Sequence, residues 1–146
     1  METMMTRTES ALTEANRALG RRFFEEQDRI RGGPAEALCA ADYRAFLGGN
    51  AGTDRAGHEA FARAFYTAFP DIQHHIEEVV ATESRAVVRF VLEGTHTGSF
   101  FGIPPTGRPV VVVANVLMDI VQGKVTKLRG VFDEAGLLRQ IGVVAG

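Results

Sequence analysis

At 146 residues, with 45 % apolar and 23 % charged residues, the chain suits one domain whose core needs neither disulfide nor metal. A formal net charge of −2 excludes the basic footprint of a nucleic-acid binder or of a protein drawn to anionic membrane. Cys39 stands alone, so no intramolecular disulfide forms, and neither a signal-type N-terminus nor an apolar run near the ~20 residues of a membrane span is present. The expectation is a single cytoplasmic domain over residues 1–146.

Residues 1–7 read as a disordered lead-in. Thr8 to Arg31 has helical spacing, with Leu12, Leu19, Phe23 and Ile30 on one stripe and Asn16 among them. Gly32-Gly33 stops that helix, and Pro34 suits the first turn of a short second one reaching Cys39. Asp42 to Leu47 reads as a brief extended piece, followed by a glycine-rich loop. Thr53 is the expected N-cap of a third helix, on which His58, Phe61, Phe65 and Phe69 recur at helical intervals until Pro70. The period then changes to two. Ile72–Thr82, Arg85–His96, Pro109–Val121 and Lys124–Asp133 read as strands, with tight turns at Glu83-Ser84 and Gln122-Gly123. Helices followed by a run of antiparallel strands predict an α+β fold with the helices on one face of the sheet.

Taking Gln122-Gly123 as a two-residue loop sets the last hairpin's register by counting. Met118 then faces Lys127, and Val116 faces Arg129. Alternation places Lys127, Arg129 and Asp133 on the face of Val112, Val116 and Met118. Charges sharing a face with an apolar strand must be paired or must surround a polar ligand. Arg129 there suits an anionic or enolate-like substrate group, or an ion pair with Glu78 or Glu93. His96 follows an apolar alternation and is either a packing residue or a site residue. His74 and His75 point to opposite faces, so only one of them sees the interior. Asn16 on the buried stripe needs a partner, either a ligand or strand backbone. No metal-ligand spacing, P-loop, GxGxxG or GxSxG occurs, so neither cofactor nor metal is expected.

Gly94-Thr95-His96-Thr97-Gly98, then Gly102-Ile103-Pro104-Pro105-Thr106-Gly107, then Gln122-Gly123-Lys124, then Asp133 through Gly136-Leu137-Leu138-Arg139-Gln140-Ile141-Gly142 follow one another in this order. The series resembles the SnoaL-like polyketide cyclase family of the nuclear-transport-factor-2-like superfamily. The third element and Ile141 depart mildly from the family's pattern. Leu128 and Arg129 replace its usual His and aromatic, and Phe46 stands where many relatives carry His.

That resemblance implies a cone: N-terminal helices packed in a strongly curved, mostly antiparallel sheet. It implies a cofactor-independent cyclase or isomerase acting on a hydrophobic oxygenated polyketide-type intermediate, as in antibiotic biosynthesis. By motif position Asp133 would be the acid/base group closing a ring by aldol-type attack; read from the residues alone, the cap of a terminal helix is the preferred reading. Arg129, His96, Asn16, Phe65, Met118 and His74 would contact substrate. A non-catalytic binding or dimerisation module, or an epoxide-opening or cyclic-ether-forming relative, is the alternative. The apolar residues on both faces of the Pro109–Val121 strand predict a homodimer or homotetramer.

Overall fold

The computed structural model describes residues 3–143, and side-chain surroundings from residue 9 onward. Helix α1 spans Thr3–Ile30. It therefore includes residues 3–7, where a disordered lead-in is expected from the sequence; no Gly or Pro interrupts the chain before Gly20. Met1 and Glu2 lie outside the described residues. The buried stripe of α1 differs from the expected one. Leu12 and Ile30 are exposed, and Asn16, Leu19, Gly20, Phe23, Phe24 and Gln27 face inward.

After a single 3-10 turn at Glu36–Leu38, strand β1 runs Cys39–Leu47. Helix α2 spans Arg55–Ala68, and its N-cap is Asp54 rather than Thr53: the Asp54 carboxylate accepts the Gly57 N–H at 2.9 Å. Strands β2 (Gln73–Ala81), β3 (Arg85–Thr95), β4 (Pro109–Val121) and β5 (Lys124–Phe132) fall within a residue of the expected spans. Helix α3, Glu134–Gln140, closes the described chain. The sheet order is β1-β5-β4-β3-β2, antiparallel except for β1, which pairs parallel with β5. The fold is α+β: a curved, unclosed mixed sheet with α1 lying against β2 and β3.

Gln122 and Gly123 both have positive φ, 50° and 75°, as a type I′ hairpin turn demands. Gly98 is required for space: a Cβ there would lie 2.0 Å from the Thr67 carbonyl oxygen, where the loop crosses the end of α2.

A bulge at Thr126 decides which side chains look inward. Val121 pairs with Lys124 and Ile120 with Val125, as counting predicts, but Asp119 then pairs with Lys127 and Met118 with Leu128. One extra residue shifts the alternation and exchanges the two faces of everything beyond it. Leu128, Gly130 and Phe132 therefore share the inner face with Met118, Val116 and Ala114. Lys127, Arg129 and Val131 look outward beside Asp119, Leu117 and Asn115.

Candidate active site

The inner face of the sheet, α1 and α2 line a half-open cavity of about 90 Å³. Its wall is mostly apolar: Phe24, Phe61, Phe65, Phe90, Leu128 and Phe132 contribute much of it. Polar groups enter at three places, and no Lys or Arg among the described residues lines it.

The first is built where α1 meets β2. Asp28 sits one helical turn beyond Phe24, at the edge of the buried stripe. One carboxylate oxygen accepts from His74 Nδ1 at 2.7 Å and from the Tyr66 hydroxyl at 2.7 Å; the other accepts the His74 backbone N–H at 2.7 Å. Burial acts to raise the Asp28 carboxyl. The hydrogen bond and charge of His74, its backbone N–H and the Tyr66 hydroxyl outweigh that and hold Asp28 below the usual carboxylate range. An ionised carboxylate can only accept, so His74 carries its proton on Nδ1 when neutral and keeps a lone pair on Nε2. Nε2 has no partner among the described residues, and the ring is held between Phe24 and Phe90, with centroids at 5.2 and 4.7 Å. Arg31 reinforces this corner: its guanidinium lies 4.5 Å over the Tyr66 ring and donates to the Ile72 carbonyl at 2.6 Å.

The second polar group is His58 on α2, 6 % exposed, with Nδ1 2.8 Å from the Tyr43 hydroxyl of β1. Burial pushes its imidazole down to about 4, so it is neutral at physiological pH. The third is Gln27, 3 % exposed, whose side-chain amide makes no hydrogen bond to a described residue. A fixed-tautomer imidazole backed by a carboxylate, on a mostly apolar wall, is equipped to take a proton from carbon.

Of the residues singled out from sequence, Phe65 and His74 line this cavity. The others do not. Asp133 is exposed and is the N-cap of α3, its carboxylate accepting the Gly136 N–H at 2.9 Å. Arg129 is turned outward by the bulge and lies 3.8 Å from Asp119, not near Glu78 or Glu93. His96 is fully buried under the 97–108 loop, with Nδ1 accepting the Thr106 N–H at 3.3 Å and Phe69 beside its ring. Asn16 donates to the Thr82 carbonyl at 2.9 Å and so ties α1 to the β2–β3 turn. Met118 is buried in the core away from the cavity wall. Phe46 belongs to a shallow outer groove with Lys127 and Arg129, so the absent family histidine removes no polar group from the cavity.

Asp28, Tyr66, Gln27 and the His58–Tyr43 pair were not picked out as site residues from the sequence. His58 recurs at helical intervals with Phe61, Phe65 and Phe69 and so reads as part of one apolar stripe, and Tyr66 follows Phe65 directly. The usable signal was the density of polar groups on otherwise apolar helical stripes, Asn16 and Gln27 on α1 and His58 on α2.

With Arg129 44 % exposed, its ion pair is a surface one worth at most about 1 kcal/mol. Arg129→Met is expected to leave stability within about 0.5 kcal/mol in urea titrations and catalysis unchanged. A large loss of either would show that its outer position matters.

The family model for SnoaL-like polyketide cyclases matches residues 19–141. Aklanonic acid methyl ester cyclase DnrD of Streptomyces peucetius is 37 % identical over 91 residues, 59 % of this chain and 62 % of that protein, so the match spans less than two thirds of the relative. Among solved structures, AclR of Streptomyces galilaeus superposes with a TM-score of 0.82 at 23 % identity over 92 % of this chain and 89 % of its own. IdmH of Streptomyces antibioticus gives 0.75 at 25 % identity, covering 86 % and 97 %. AclR is provisionally assigned as a hydroxylase and IdmH as a polyketide cyclase.

Proposed function

This chain belongs to the SnoaL-like polyketide cyclase family, and from that premise we propose that it closes a ring on a hydrophobic polyketide-type substrate without a cofactor, using His74 as the base. The observation that carries the proposal is the lock between His74 Nδ1 and the ionised Asp28 carboxylate on the wall of an apolar cavity. His74 Nε2 takes the proton from a carbon activated by neighbouring carbonyls. The carbanion then forms a carbon–carbon bond to a second carbonyl carbon, and the alkoxide so made receives the proton back from the imidazolium. No atom is gained or lost, so the product is an isomer. Asp28 keeps the ring in one tautomer and stabilises the imidazolium, and Gln27 offers an amide to a substrate oxygen.

The volume of about 90 Å³ lies below the ~300–1,000 Å³ usual for drug-sized ligands. Admission of a polycyclic substrate therefore involves movement of the aromatic rim. Phe61 stands 6.5 Å from Phe132 and 6.4 Å from the exposed Phe101. Aklanonic acid methyl ester, named for the Streptomyces peucetius relative, is the substrate with which to begin. Purified protein is expected to convert it to a product of equal mass and different chromatographic retention. In D2O, deuterium should enter at the acidic carbon. Failure to accelerate either process over buffer, with this ester and related dicarbonyl polyketides, would sink the proposal.

The aspartate named by motif position has a direct test. Asp133→Asn keeps a good N-cap residue and removes the titratable group. Turnover is expected to stay within about threefold and stability within about 0.5 kcal/mol, since Asn and Asp cap comparably. A loss of two or more orders of magnitude would return the acid/base role to Asp133.

A second copy of the chain is proposed to cover the outer sheet face, where Val87, Val111, Val113 and Val131 are exposed together. Light scattering is expected to give a dimer or tetramer. A species of 15.8 kDa at micromolar concentration would rule that out.

A further inference from the structure

The two histidines of the cavity are held in opposite tautomers by their Nδ1 partners. At His74 the partner is a carboxylate, which forces the proton onto Nδ1. At His58 the partner is a phenol. The Tyr43 hydroxyl is buried, and its one partner among the described residues is His58 Nδ1 at 2.8 Å. Were His58 to donate from Nδ1, the Tyr43 O–H would be left with no acceptor, at a cost of about 1–3 kcal/mol. Tyr43 therefore donates, Nδ1 accepts, and the single proton of the neutral ring sits on Nε2. No described residue accepts from Nε2, and His58 stands on the cavity wall. One face of the cavity thus carries an imidazole lone pair and another an imidazole N–H.

We propose that His58 is a second catalytic imidazole, a neutral donor whose Nε2–H holds the substrate oxygen that becomes negative when His74 removes the proton, with Tyr43 as its positioning residue. The proposal rests on the cyclase reading above and extends it to the group that stabilises the enolate. As the C–H bond breaks, the proton passes to His74 Nε2 and the electron pair moves onto the carbonyl oxygen, where it meets the His58 N–H. The pair returns through carbon to make the new bond, and His58 keeps its proton throughout. A neutral imidazole suits this task because it stays a donor without competing for the proton or repelling the imidazolium at His74. Among the described residues of the wall there is no Lys or Arg, so neutral N–H groups such as those of His58 and Gln27 are the donors it offers to that oxygen.

The test separates this proposal from the cyclase reading. Long-range 1H–15N correlation on [15N]histidine-labelled full-length protein at pH 7 is expected to show His58 protonated at Nε2 and His74 at Nδ1. Protonation of His58 at Nδ1 overturns the proposal. Phenol serves as an enol probe, and at saturation it should move the His58 Nε2–H resonance downfield; no shift overturns it. With a turned-over substrate, His58→Phe is expected to lower kcat by about 10²–10³ with KM within about threefold. Because that variant can fail to fold, Tyr43→Phe is the companion: part of His58 should move to the Nδ1–H form and kcat should fall with KM unchanged. Unchanged kcat in Tyr43→Phe despite the tautomer shift overturns the role of His58. If the wild type turns nothing over, the cyclase reading fails on its own, while the tautomer and phenol measurements still decide whether His58 is a donor.

Discussion

His74→Gln is expected to lower turnover by about two to four orders of magnitude, the usual span for losing a general base, while the protein folds normally. Glutamine can still donate an amide proton to Asp28, so the carboxylate keeps a partner at the α1–β2 junction. What disappears is the Nε2 lone pair. Because the base acts only as the proton leaves carbon, kcat should carry the loss and KM should change little. Deuterium exchange at the acidic carbon should fall by the same factor, since it reports proton removal without ring closure. Asp28→Asn is the informative partner, because the amide can donate to His74 Nδ1 and favour the wrong tautomer. Full activity in His74→Gln would remove the base from the mechanism whatever the fate of Asp133.

Acidification is expected to destabilise the protein through His58 well before its carboxylates titrate. The unfolded chain binds a proton on this imidazole below about pH 6.5, whereas burial makes the folded form refuse it until about pH 4. Between these limits the unfolded state holds more protons, so stability is complete above pH 6.5 and falls as the pH drops. At pH 4.5 the loss attributable to His58 is on the order of 2–3 kcal/mol relative to pH 7. That is a large share of the ~5–15 kcal/mol of an ordinary domain. Urea midpoints at the two pH values measure it, and the difference between wild type and His58→Phe isolates this group from the other histidines. Asp28 adds a separate contribution, present above its unfolded value and lost only as the pH falls below the ordinary carboxylate range. A wild-type midpoint that is flat from pH 7 to 4.5 would mean that His58 is protonated in place, and so is not sealed from water.

On the proposed reading, the motif residues lie outside the chemistry. Gly98 stands where the chain crosses the Thr67 carbonyl, His96 packs against Phe69 and bonds Thr106, and Asp133 caps α3. The conspicuous residues are those that shape the loop and the chain end. The candidate site is assembled instead from Asp28 and Gln27 on α1, His58 and Tyr66 on α2 and His74 on β2, spread over almost fifty residues without a spacing signature.

By itself the sequence determined the class and the order of elements. Periods of 3.6 and 2, the breaks at Gly32-Gly33 and Pro70, and the Gln122-Gly123 turn are local signals, and local signals survive without tertiary contacts. It also established that only one of His74 and His75 faces the interior. Tertiary structure alone decided the rest. Pairing of β1 parallel to β5 joins segments some eighty residues apart, which no local pattern encodes. The bulge at Thr126 arises from how β4 and β5 fit, and one unpaired residue was enough to turn Arg129 outward and bring Leu128 and Phe132 in. The Asp28–His74 lock exists only because α1 lies across β2, and the proton positions on both imidazoles follow from partners that only the packed chain supplies.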